Sequence, residues 1–171
     1  MSNGVQEAWH SSASNPLGDS YVMQRLGNLP SGTYVFGAYA AAAKQHNRND
    51  ICERETVNGT EKHVLVDGKH QYSEYWSNRD SIHGVVLFAN DDSVVVATDN
   101  PDLSALSQFF GHSSKFNVAV KLTEADAAKN YLNVGMRTVS TNANYIVWDN
   151  ATLYYFGDMS EAEALDAMAE I

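Results

Sequence analysis

Cysteine, basic residues and long apolar runs are scarce in this sequence, and each scarcity excludes a class of structure or partner. The single cysteine, Cys52, rules out an intrachain disulfide and a zinc site built on several thiolates. Eleven basic residues against 21 acidic ones give a formal net charge of −10. That charge repels phosphate backbones, so nucleic acid is not an expected partner. No apolar run approaches the roughly 20 residues that span a bilayer, so membrane insertion is not expected either.

Signatures of catalysis are missing as well. The sequence has no Gly-x-Ser-x-Gly elbow, no Walker loop and no Gly-x-Gly-x-x-Gly fingerprint. Its six histidines form no i,i+2 or i,i+4 pair that would suggest a catalytic metal. Most acidic residues fall in turns, where turn chemistry explains them. We therefore expect a protein that is not an enzyme, although two carboxylates facing one open cleft would instead indicate a hydrolase.

Short runs with strand character dominate what is present. They are separated by Gly, Asn and Asp, which favour turns, and they are rich in Val and aromatic residues. The run at 115–122 alternates strictly, with Phe116, Val118 and Val120 on one face, as half-buried strands do. The runs at 84–89 and 93–98 are close enough to form a hairpin. The remaining predicted strands are 22–26, 33–40, 132–139, 145–148 and 151–156, with a possible edge strand at 62–67.

The regular spacing of these short strands predicts an all-β fold, an antiparallel β-sandwich with one or two short helices. Residues 1–158 would form the sandwich module, with one short helix at 101–110. The tail differs in kind, because Ser160 and Glu163 have the spacing of a capping box and Leu165 and Met168 form an apolar stripe. Residues 159–171 are therefore expected to start a linker helix into a following domain.

The most informative candidate site lies in the irregular segment at 71–80. Tyr72, Tyr75 and Trp76 are aromatic rings that could stack on the apolar face of a sugar, and Asn78 and Arg79 could bond its hydroxyls. The same rings could instead anchor a long loop to the sandwich. A second open question concerns Asp149 and Asn150, a polar pair between two apolar runs, which would either kink a strand or hydrogen-bond a loop end.

Three blocks of sequence resemble a known family. Residues 23–34 contain Leu-Pro-Ser-Gly-Thr-Tyr, residues 132–136 read Leu-Asn-Val-Gly-Met, and residues 146–157 read Ile-Val-Trp-Asp-Asn-Ala-Thr-Leu-Tyr-Tyr-Phe-Gly. Together they resemble galactose-binding-domain-like jelly rolls of secreted and surface proteins from Bacteroides-type gut anaerobes, which often accompany glycoside hydrolases.

The resemblance implies a function, a location and a possible cofactor. It implies a non-catalytic carbohydrate-binding module of a larger bacterial protein, extracellular or on the cell surface, with polysaccharide or oligosaccharide and neighbouring domains of the same chain as partners. The alternative is a structural or protein-interaction spacer that binds no glycan. Related modules hold a structural calcium through a Glu on an opening strand and an Asp near the last strand. Asp149 matches the second position, and the first has no counterpart here.

Overall fold

The computed structural model describes residues 6–10, 15–45, 52–57, 60–65, 76–77, 82–96, 114–129 and 131–171. In chain order its elements are β1 Gln6–Trp9, β2 Ser20–Gly27, β3 Gly32–Gln45, β4 Cys52–Val57, β5 Thr60–Leu65, β6 Trp76–Ser77, β7 Val85–Ala89, β8 Asp92–Val95, β9 Ser114–Leu122, α1 Glu124–Lys129, β10 Tyr131–Thr138, β11 Tyr145–Tyr155 and α2 Glu161–Met168.

These strands form two main antiparallel sheets. Sheet A has the order β1-β11-β3-β9, and the short β6 pairs with the last two residues of β3. Sheet B has the order β2-β10-β7-β8. A separate two-stranded ribbon joins β4 and β5. The all-β prediction and its antiparallel sandwich are confirmed, whereas the jelly-roll type stays a prediction.

The core lies between the two sheets and follows the two-residue period of the strands. Alternate residues of β3, from Tyr34 to Ala42, face alternate residues of β7 and β10 such as Leu87 and Leu132, which are 1% and 0% exposed. The predicted apolar face of residues 115–122 is confirmed, since Val118, Val120 and Leu122 join this cluster. At about 25 cal/mol per Å² of apolar surface removed from water, this shared core is the main force that holds the sheets together.

The C-terminal part of the sandwich corrects one prediction. Residues 145–148 and 151–156 are not two strands but parts of one strand, β11, with a bulge between Asp149 and Thr152. Trp148 and Leu153 both face the core although they are five residues apart, which a regular strand cannot achieve. The extra residue restores the alternation, and Asn150 adopts a positive φ of 53° there. Of the two readings of the Asp149-Asn150 step, the strand irregularity is the one observed.

The tail helix α2 packs on the outer face of sheet A. Ala164 and Met168 are buried against Val35 of β3 and Ala119 of β9. The predicted capping box is confirmed, with Ser160 and Glu163 bonding each other's backbone. The predicted stripe is partly wrong, because Leu165 is 37% exposed and Ala164 takes its place in the contact. That this helix leads into a following domain stays a prediction.

Other elements also differ from the prediction in extent. The hairpin of β7 and β8 is confirmed, with Ala89 opposite Asp92 across the loop. β3 continues to Gln45, beyond its predicted end at residue 40, because it pairs with both β11 and β6. β1 was not predicted, and β4 was missed beside the predicted edge strand at 62–67. The predicted helix at 101–110 lies outside the described residues. Within the described ranges, no helix is long and apolar enough to cross a membrane.

Candidate functional site

The sequence-predicted sugar site falls almost wholly outside the described residues. Tyr72, Tyr75, Asn78 and Arg79 lie outside them, and for Trp76 the structure describes only its place in the chain. Trp76 belongs to β6 and pairs with Gln45 at the end of β3. The prediction that these five residues bind a glycan therefore stays a prediction.

The structure shows a different candidate on the outer face of sheet B, the face turned away from the core. A cleft of about 310 Å³ opens there. We call it the sheet-face cleft. Its lining residues come from β2, the β7–β8 hairpin, α1 and the start of β10, and they are Met23, Phe88, Asn90, Asp91, Asp126, Tyr131 and Asn133. This volume is at the lower end of the range of pockets that hold small ligands.

Strand register explains why apolar residues line one side of the cleft. Residues directly opposite each other in neighbouring strands share a face, so Met23, Gly135 and Phe88 form one row across β2, β10 and β7. Gly135 has no side chain, and the Val22 carbonyl and the Met23 Cα of β2 lie close to the place where its Cβ would be, so Met23 and Phe88 supply the side chains of this row. Met23 is 39% exposed, whereas Phe88 is 6% exposed with the Arg137 guanidinium 5.3 Å from its ring centroid.

An exposed aromatic ring lies at the start of β10. Tyr131 is 40% exposed. The guanidinium carbon of Arg25 lies 4.8 Å from the ring centroid, within the range of a cation–π contact. Arg25 is itself held in place, because its Nε donates to Oδ1 of Asn133 at 3.2 Å. The ring thus has a fixed neighbour on one side, and the residue is partly exposed to solvent.

Asn90 and Asn133 are the polar residues of the cleft that connect the β7–β8 hairpin to β10. The Asn90 backbone N–H donates to the Asn133 carbonyl at 2.8 Å, and the Asn133 N–H donates to Oδ1 of Asn90 at 2.9 Å. Asn90 is suited to this turn because asparagine tolerates its positive φ of 51°. Both side-chain oxygens accept from N–H donors, which fixes each amide orientation. In the part of the chain that the structure describes, both Nδ2 groups remain available as donors.

Carboxylates supply acceptors on the opposite side of the cleft. Asp126 belongs to α1, where its Oδ2 accepts from the Thr123 hydroxyl at 2.6 Å and from the Thr123 N–H at 3.2 Å. Asp91 is the second residue of the hairpin loop. Next to it, the pKa of Asp92 is raised, first by burial and then by the negative charges of Glu161 and Asp91. The surroundings of the cleft are therefore acidic. Because Asp91 and Asp126 line one open cleft, the hydrolase alternative from the sequence stays a prediction.

A second cavity, of about 170 Å³, opens between the two sheets at the edge formed by β2. We call it the edge cavity. Its wall is apolar apart from Gln24, and it is lined by Val22, Met23, Gln24, Phe36, Leu87, Val134, Gly135, Met136, Trp148 and Ala151. Trp148 packs at the margin of the core and is partly buried.

The calcium prediction rests on Asp149, on the outer face of sheet A. Its Oδ1 accepts from the backbone N–H of Asn150 at 2.6 Å, within the bulge. Among the residues that can be described, no three His, Cys, Asp or Glu side chains are grouped as a metal site would need. The described surroundings of Asp149 thus do not make up a carboxylate site for calcium, and the structural calcium stays a prediction.

Comparison with protein-family models, curated proteins and solved structures finds no match to this chain. The resemblance to galactose-binding-domain-like modules therefore stays a prediction from the three sequence blocks. The sheet-face cleft was not predicted from the sequence, because its residues lie in four segments that only the pairing of β2, β7 and β10 brings together.

Proposed function

We propose that this chain is a non-catalytic carbohydrate-binding module and that the sheet-face cleft holds a neutral sugar. The observation that carries the proposal is the partly exposed Tyr131 ring beside the amide and carboxylate side chains that line the cleft. A pyranose has apolar C–H faces that pack on aromatic rings and a rim of hydroxyls that both donate and accept. The cleft offers partners for each part of such a ligand, and its volume of about 310 Å³ has room for one sugar ring.

Charge argues for neutral over acidic glycans. The chain has a formal net charge of −10, and Asp91 and Asp126 line the cleft itself. The carboxylate of a uronic acid would be repelled at this position, and the repulsion would weaken with added salt. We therefore expect neutral polysaccharides to bind more tightly than polyuronates of the same linkage at low salt. Tighter binding of the polyuronate would contradict this assignment.

Isothermal titration calorimetry and affinity electrophoresis against a panel of plant and host glycans test the proposal. Tyr131→Ala removes the exposed ring, and we expect binding to weaken about tenfold, equivalent to about 1.4 kcal/mol. Tyr131→Phe keeps the ring and should retain most of the affinity if stacking is the main contribution.

Tyr39→Ala is the matched control. Tyr39 is also 40% exposed but lies on sheet A, so its removal should leave the affinity unchanged. Equal losses from Tyr131→Ala and Tyr39→Ala would show that the sheet-face cleft is not the site. Glycan binding lost through Tyr75→Ala but not Tyr131→Ala would move the site to the segment predicted from sequence. Binding to no glycan in the panel would favour the spacer function.

A further inference from the structure

Among the strands that the structure describes, none covers the outer edge of β2. β2 pairs with β10 on one side over eight consecutive residues, and no described strand pairs with its other side. Its first six residues are exposed, with Tyr21 at 70%, Val22 at 56% and Met23 at 39%. Backbone N–H and C=O groups along such an edge are ready to pair with another strand.

β2 lacks the features with which proteins protect an open edge. It contains no proline, no lysine and no acidic residue, and its register with β10 is continuous, without a bulge. Its one charge, Arg25, lies on the outer face. By contrast, β8 at the opposite edge of sheet B has four residues and begins with Asp92. In a chain with a net charge of −10, an eight-residue edge without a carboxylate adds no local repulsion when a second acidic molecule approaches it.

The edge cavity lies beside this strand and gives an added strand a place to bury side chains. Val22 is opposite Met136, whose side chain belongs to the core, so Val22 faces the space between the sheets. Val22 and Gln24 both line the edge cavity. A strand added beside β2 would place alternate side chains over the same apolar opening. Strand addition of this kind gains affinity from backbone hydrogen bonds and from such pockets.

We propose that the occupant of this edge is β2 of a second copy of the chain, paired antiparallel about a two-fold axis at Val22. In this register Val22 faces its own counterpart, and Tyr21 faces Met23. Arg25 then lies opposite Asp19, an exposed residue just before β2, and the symmetry forms this pair of opposite charges twice. No like charges oppose each other between residues 19 and 25. Charge complementarity thus favours a second copy as the partner.

The pairing has a consequence for binding, and this step rests on the proposed function. When two copies pair through β2, the sheet B of one copy continues into the sheet B of the other. The outer faces of the two sheets then lie on the same side of the dimer. Two sheet-face clefts would then be presented on one surface. A polysaccharide that reaches both clefts would bind more tightly than a short oligosaccharide through effective concentration alone.

Sedimentation velocity of the full chain over a concentration series, without glycan, tests the pairing. The strand contact is small, so we expect reversible association, with the mass rising from 18.8 kDa toward twice that value. Val22→Lys places two ammonium groups face to face at the axis and should weaken association at least tenfold. Val95→Lys is the matched control, because Val95 is 54% exposed on β8, at the opposite edge of the same sheet. It should associate like the unaltered chain.

Hydrogen exchange locates the contact independently of the variants. Amides of β2 should gain protection as the protein concentration rises, while those of β8 should not. A mass of 18.8 kDa at every concentration would overturn the inference, as would equal weakening by Val22→Lys and Val95→Lys. Protection of β2 that requires another protein, with this chain monomeric, would also overturn it. A dimer that binds no glycan would support the pairing and refute only the proposed function.

Discussion

Gly135→Ala tests whether the close contact between β10 and β2 is needed for the fold. A Cβ atom at this position would lie far inside the 3.0 Å limit of real Cβ contacts from the Val22 carbonyl oxygen, and 3.0 Å from the Met23 Cα. These are backbone atoms of a paired strand, so they cannot rotate away as a side-chain end would. β2 must therefore move away from β10, and their eight-residue pairing must weaken.

The expected loss of folding free energy follows from the backbone shift that the added Cβ forces on β2. Overpacking in a tight site typically costs 1–3 kcal/mol, and a clash with backbone belongs at the upper end, about 3 kcal/mol. For a domain of this size each kcal/mol corresponds to a change in melting temperature of about 2–4 °C, so Gly135→Ala should lower it by roughly 6–12 °C. Thermal denaturation followed by circular dichroism measures this shift. Hydrogen exchange should show the largest loss of protection in β2.

Gly18→Ala is the control, because an added Cβ there meets nothing within 4 Å. Its melting temperature should stay equal or rise slightly, since alanine restricts the unfolded chain more than glycine does. If Gly135→Ala melted within about 1 °C of Gly18→Ala, well short of the shift that the overpacking cost predicts, the structural argument would be refuted.

Two further predictions concern the packed helix and the acidic hairpin. Met168→Ala should lower the free energy of unfolding by about 2–5 kcal/mol and the melting temperature by several degrees. Leu165→Ala, at a partly exposed position of the same helix, should change the melting temperature little. Equal effects would mean that α2 is not packed as described. Asp92→Asn should raise the melting temperature at neutral pH by about 1 °C, because it removes a carboxylate whose charged form is disfavoured first by burial and then by the negative charges of Glu161 and Asp91. Because the pKa of Asp92 is raised in the folded state, its destabilising effect on the fold is fully present above that pKa and disappears as the pH falls toward the ordinary value of 3.8. Melting curves of Asp92→Asn at acidic pH should therefore show no gain in melting temperature. A gain that persisted there would exclude the electrostatic cause.

Much of the sandwich could be predicted because it depends on local pattern. The alternation at residues 115–122 and the turn at Asn90 and Asp91 each specify one strand or one loop, and both are observed. The bulge in β11 left a signal that was missed, namely the odd separation of Trp148 and Leu153. β3 was predicted too short because its last residues owe their strand conformation to pairing with β6 and β11, which no local pattern reveals.

The candidate site could not be predicted for a related reason. Tyr131 and Arg25 are more than 100 residues apart in sequence, and only the register of β2 against β10 brings the guanidinium over the ring. Tyr131 lies in none of the three family-like blocks, and nothing in the block at 23–34 indicates that Arg25 contacts it. The segment at 71–80 was predicted as a site because its aromatic residues are close together in sequence. The residues of the sheet-face cleft are close together only in the folded chain.

The pairing of the first two strands with the last two sets the order in which this chain can assemble. β1 pairs with β11, and β2 pairs with β10, so each joins residues separated by more than a hundred positions. During synthesis, neither early strand has its partner until residues beyond about 130 have left the ribosome. The loops that must close carry a large entropic cost, which makes formation of such sheets slow, on the scale of milliseconds to seconds. Until then β2 is unpaired on both sides, and chaperones can recognise its exposed apolar residues.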